Sequence, residues 1–156
     1  MNTQSVLLLL LFNAMFLFHS TATAKPVFAI KADIYQLEHA VTIDSQIEQT
    51  LQSIDPIHQP RLLAALGKSA LIEMGTDQRM TALEVMNTPD GEYFNAVMKV
   101  KNKEGEDWET ITSFLPSIPS GQTVYFSRTI DDSVWLIRLT GTRYESEQLG
   151  RESLAN

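Results

Sequence analysis

Strict alternation over Glu92–Lys101 is the strongest constraint this sequence places on its fold. Phe94, Ala96, Met98 and Val100 fall on one side of an extended chain, and Tyr93, Asn95, Lys99 and Lys101 fall on the other. That period of two is what a half-buried strand requires. Met80–Asn87 precedes it across Thr88-Pro89-Asp90-Gly91, a turn in which proline presets one dihedral and glycine accepts a positive one. A strand with one apolar face must be covered by a second layer, so the rest of the chain should supply more strands.

It does. Val27–Leu37 alternates, with Phe28, Ile30, Ala32 and Ile34 on one face and Lys31, Asp33 and Tyr35 on the other. Arg61–Leu66 and Ser69–Met74 are short apolar runs separated by Gly67-Lys68, which predicts a tight hairpin. Trp108–Leu115 is a further strand, Pro116–Gly121 reads as a loop, and Gln122–Thr129 and Ser133–Tyr144 make a last pair around Asp131-Asp132. Only Ile43, Ile47, Leu51 and Ile54 follow a helical stripe, with Thr42 or Asp44 as a cap and Asp55-Pro56 as a stop. The expected fold is mainly β (α+β): a single domain, residues 25–144, of short and mostly antiparallel strands in a sandwich or curled sheet, with one helix towards the N-terminal side. The polar tail 145–156 is expected to be flexible or weakly helical.

The first 24 residues have another character. Val6–Phe18 is almost wholly apolar, and Ala22-Thr23-Ala24 places small side chains before Lys25. This is the layout of a signal peptide, residues 1–24, cleaved between Ala24 and Lys25; the apolar run is short of the roughly 20 residues that span a bilayer. The remaining chain is expected in the periplasm or outside the cell, with no transmembrane segment after cleavage. It carries all 12 basic and all 19 acidic residues, a net charge of −7, which argues against nucleic acid and anionic membrane surfaces. The chain contains no cysteine, so thiolate nucleophiles, thiolate metal sites and lipid anchoring through cysteine are excluded.

Chemistry-bearing motifs are sparse. His39 and His58 are too far apart in sequence for a standard two-histidine metal spacing. No phosphate-binding glycine loop or strand-to-helix nucleophile motif occurs. Glu104, Glu106, Asp107 and Glu109 do not match a calcium loop and read instead as a charged hairpin tip. No enzyme activity, metal or cofactor is therefore expected. Trp108, Tyr125 and Trp135 offer a stacking surface for a glycan or small ligand, although aromatics at alternating strand positions more often pack against other side chains. A hydrolase built on an unrecognised carboxylate pair is the remaining alternative.

The run from Pro60 to Gly75 adds a resemblance. Pro60-Arg61 opening a strand, Gly67 turning it, Ala70 three residues later and Gly75 closing the next strand resemble a signature of bacterial secretins, the outer-membrane channel proteins of type II and III secretion and of pilus systems. Phe28–Tyr35 is similar to the strand that opens the secretin homology core. Ser120-Gly121-Gln122-Thr123 is similar to its later turn, and Val134–Arg143 to its closing strand. Two departures bear on function. The Gly75–Met80 connection is too short for membrane-spanning hairpins, and Tyr125-Phe126-Ser127-Arg128 stands where the family has paired glycines. The resemblance implies a pore-less periplasmic β domain, an interaction or accessory protein with protein partners in the cell envelope.

Overall fold

The computed structural model describes residues 24–75, 79–104, 107–130 and 133–156. The alternation of Val27–Leu37 becomes strand β1, in which Phe28, Ile30, Ala32 and Ile34 are fully buried. It pairs antiparallel with β2 (Arg61–Ala65) on one side and with β8 (Ser133–Tyr144) on the other, and β8 pairs with β7 (Thr123–Ile130). The second sheet runs in the order β3 (Ser69–Gly75), β4 (Arg79–Asn87), β5 (Tyr93–Glu104) and β6 (Asp107–Pro119), again antiparallel throughout. The two inner faces share one core, with Phe28, Ile30, Ile137 and Leu139 from the first sheet meeting Leu83, Phe94, Ala96 and Met98 from the second. The protein is thus a mainly β, two-sheet sandwich, as the alternation predicts.

The segment around Gly67 departs from the expected hairpin. Both runs are strands, but β2 belongs to the first sheet and β3 to the second, so Gly67-Lys68 turns the chain from one layer into the other. Asn87, at the end of β4, holds this corner. Its Oδ1 accepts from Gly67 N at 2.7 Å, and its Nδ2 donates to Lys68 O at 2.7 Å and Ala65 O at 3.2 Å. A buried amide thereby satisfies backbone groups that lack a sheet partner at the layer change. Gly67 sits at φ 69°, where a side chain would be strained.

The proline-containing stretch Pro116–Pro119 is strand rather than loop. The ladder slips between Phe94 and Ala96, Ser117 takes φ 53°, and its amide donates to Asn95 Oδ1 at 2.8 Å. β6 lies at the sheet edge, where prolines cost no ladder bond on the open side.

Among the described residues two helices, not one, lie on the outer face of the first sheet. Helix α1 (Ile47–Leu51) is shorter than its apolar stripe suggests, because Ile43 stays 45% exposed outside it. Asp44 does bond the Gln46 amide at 2.8 Å ahead of the first turn. Ile47 and Leu51 pack with Tyr35, Leu37, Val134 and Leu136 in a second, smaller core. The tail forms helix α2 (Glu147–Ala155), whose Ser146 side chain accepts from Leu149 N at 3.3 Å as an N-cap. The helix docks through Gly150, where an added Cβ would meet Val27 Cγ2 and Leu63 Cδ2 at 2.8 Å each. Among the described residues no helix is long and apolar enough to cross a membrane; Met1–Thr23, with Ala22, lie outside them.

Candidate functional site

The outer face of the first sheet carries the densest polar constellation among the described residues. Asp33 on β1 stands opposite Arg138 on β8, and Lys31 stands between Arg61 on β2 and Thr140 on β8. Because side chains alternate, all of these point away from the sandwich core and towards the helical side. Asp33 is 6% exposed, one of few buried polar residues. Its Oδ1 accepts from Arg61 Nη2 at 2.6 Å and from Gln59 Nε2 at 3.2 Å, and its Oδ2 accepts from Arg138 Nη1 at 3.0 Å. Arg61 Nη1 also donates to Ala32 O at 2.6 Å and Pro60 O at 3.1 Å. The Nε of Arg138 reaches Glu48 on α1 at 3.0 Å, and the Tyr125 hydroxyl donates to the same Glu48 oxygen. Five elements are therefore tied together through two guanidinium groups and the Glu48 carboxylate.

Burial alone would raise the Asp33 pKa. The hydrogen bond and charge of Arg61, with hydrogen bonds from Arg138 and Gln59, outweigh it and hold the carboxyl below its ordinary value. Arg138 is pushed the other way: burial would lower its pKa, but its bonds to Asp33, Tyr125 and Glu48 raise it. Tyr125 is raised by burial and by its bond to Glu48. Since the Asp33 pKa is lower folded than unfolded, the unfolded chain binds more protons in between, and stability rises with pH there. The contribution is complete above the unfolded carboxylate value of about 3.9 and disappears as pH falls through the lower folded value. Urea unfolding of wild type and Asp33→Asn should therefore differ most above pH ~5 and converge towards pH ~2. A gap that stays constant across that range would show that the Asp33 charge is not what the arginines stabilise.

Beside this network the sheet is hollow. Ala29, Thr140 and Thr142 form a floor of small side chains, and Arg61, Asp33 and Arg138 close one end. Tyr144, Ser153 on α2 and Asn156 just after it close the other, leaving a groove of about 330 Å³. Its three cations, Lys31, Arg61 and Arg138, face the single carboxylate of Asp33.

The residues singled out from sequence are distributed differently. Tyr125 packs on the α1 side of the first sheet, whereas Trp135 packs against the core between the sheets. They occupy opposite faces and form no common stacking surface; the buried Nε1 of Trp135 has no hydrogen-bond partner among the described residues. The side chains of Trp108 and of the acidic group at 104–109 lie outside the described residues. Pro60 and Arg61 belong to the outer-face network, Gly67 to the corner, and Ala70 packs against the core. Gly75 ends β3, and Gly121 turns between β6 and β7 at φ 85°. Ala24 and Lys25 lead into β1. The cluster around Asp33 was not predicted because its partners lie 28 and 105 residues away in sequence; the one sequence signal was a charged pair, Lys31 and Asp33, on the outward face of an otherwise apolar strand.

Comparison of the chain with protein-family models, curated proteins and solved structures found no match.

Proposed function

We propose that this chain is an exported, non-enzymatic interaction protein of the cell envelope, and that it recruits a partner by accepting an extended segment along β3. The observation that carries this reading is the state of that edge. β3 has seven residues, contains no proline or basic side chain, and leaves Leu71 55% exposed. The other three edges are guarded differently: β6 ends in Pro116 and Pro119, β2 has only five residues, and β7 carries the basic Arg128, which donates to Ser113 Oγ on β6 at 3.2 Å. Short edges and prolines are the usual guards against added strands. An added strand would gain backbone hydrogen bonds along β3. It would also extend the outward row formed by Leu71, Glu84, Val97 and Phe114, which are register neighbours across the sheet. Phe114 is likewise 55% exposed, and among the described residues no helix covers this face as α1 and α2 cover the outer face of the first sheet. The resemblance to the secretin core supports an envelope setting and a link to a secretion or pilus assembly.

Site-specific photocrosslinking tests the proposal. A photoreactive residue at Glu73 should give a discrete adduct with an envelope protein, and Leu71→Lys in the same chain should abolish it while leaving the melting temperature unchanged. The same probe at Glu152, on α2, should give no such adduct. Equal adducts at both positions, or none at Glu73 across growth conditions, would overturn the assignment of β3.

A further inference from the structure

The groove on the helical side of the first sheet has a charge pattern that the fold does not require. In a protein with 12 basic and 19 acidic residues, three cations converge there on one carboxylate. Asp33 accepts from Arg61, Gln59 and Arg138, and not from Lys31. Lys31 is left over. It is half-buried and makes no ion pair or side-chain hydrogen bond among the described residues, yet it lies directly opposite Arg61 in the ladder. Like charges directly opposite one another destabilise a sheet. A local conflict of this kind, relieved at Arg61 by Asp33 but not at Lys31 among the described residues, points to a functional position.

We propose that the groove binds a small organic oxyanion, its carboxylate or phosphate group held by the Lys31 ammonium and the Thr142 hydroxyl above the small floor of Ala29 and Thr140. The volume of about 330 Å³ suits a small molecule. Arg61 and Arg138 are fixed by their bonds to Asp33 and Glu48, whose charges balance theirs, so Lys31 is the cation of the groove left without a counter-charge among the described residues. A half-buried ammonium beside a hydroxyl favours an anion more than an exposed lysine does. This site lies on the first sheet and is independent of the strand-accepting edge of the second.

Amide NMR titration of the full mature chain with sodium phosphate, citrate and acetate at constant ionic strength is the test. Saturable shifts at Lys31, Thr140 and Thr142 are expected with at least one anion. A preference for phosphate over citrate, or the reverse, identifies which oxyanion the groove takes. Lys31→Met should weaken that binding about tenfold or more, as loss of a charge-assisted contact implies, while the melting temperature holds or rises because the repulsion with Arg61 is removed. Thr142→Val gives the same readout from the other strand and guards against a folding defect in the first variant. Linear, non-saturating shifts with all three anions would overturn the proposal, as would undiminished binding by both variants.

Discussion

Phe94→Ala is expected to lower the unfolding free energy by about 3–5 kcal/mol, the range for removing a large aromatic from a packed interior. Phe94 has no exposed surface. Its ring lies 5.5 Å from that of Phe28, centroid to centroid, with the planes tilted by 57°, the offset geometry that aromatic pairs favour. The pair joins the layers, since Phe28 belongs to the first sheet and Phe94 to the second. Truncation would leave a cavity between two sheets whose separation is maintained along the rest of the core by Ile30, Leu83, Met98 and Leu139, so collapse into the space is limited. Urea unfolding followed by far-ultraviolet circular dichroism measures the loss. A reduction below about 1 kcal/mol would mean that the layers close over the vacated volume, contrary to a rigidly spaced sandwich.

How much of this was legible in the sequence depends on which physical signal each part leaves. Strands with one buried face write a period of two, and for that reason the inward Phe28, Ile30, Ala32 and Ile34 of β1 and Phe94, Ala96 and Met98 of β5 are readable from the sequence. The hairpin between β7 and β8 was readable from chain proximity. The layer change at Gly67 was not, because a glycine turn between two apolar runs looks the same whether the strands pair or part; the deciding residue, Asn87, lies 20 positions away. The tail helix was hidden for a different reason. Its docking position is a glycine fitted between Val27 and Leu63, so close approach replaces the apolar stripe that would have announced an amphipathic helix. The outer-face network was hidden by sequence distance alone. Arg61 stands in the Pro60–Gly75 motif, and its pairing with Asp33 gives that position a structural task.

Gly141 is the position where the same distance problem has the sharpest energetic consequence. Glycine inside a strand ordinarily weakens it, and its presence points to close approach by another group. In β8 that group is the Phe28 ring: a Cβ at Gly141 would lie 2.5 Å from Phe28 Cε1, 2.9 Å from Cζ and 3.1 Å from Phe94 Cδ1. The aromatic pair between the layers therefore occupies the space that a side chain on β8 would need. Gly141→Val should destabilise the protein by about 3 kcal/mol, the upper end of the usual cost of overpacking a close-packed core, because both obstructing rings are themselves enclosed. The cause is separable from any intrinsic preference of the strand backbone. If the Phe28 ring is the obstacle, Phe28→Ala combined with Gly141→Val should cost less than the sum of the two single changes, by about 1 kcal/mol or more, as for residues that compete for one volume. Strict additivity in urea unfolding would place the strain in the β8 backbone instead, and would remove the close approach of Phe28 as the reason for glycine at this point in the sheet.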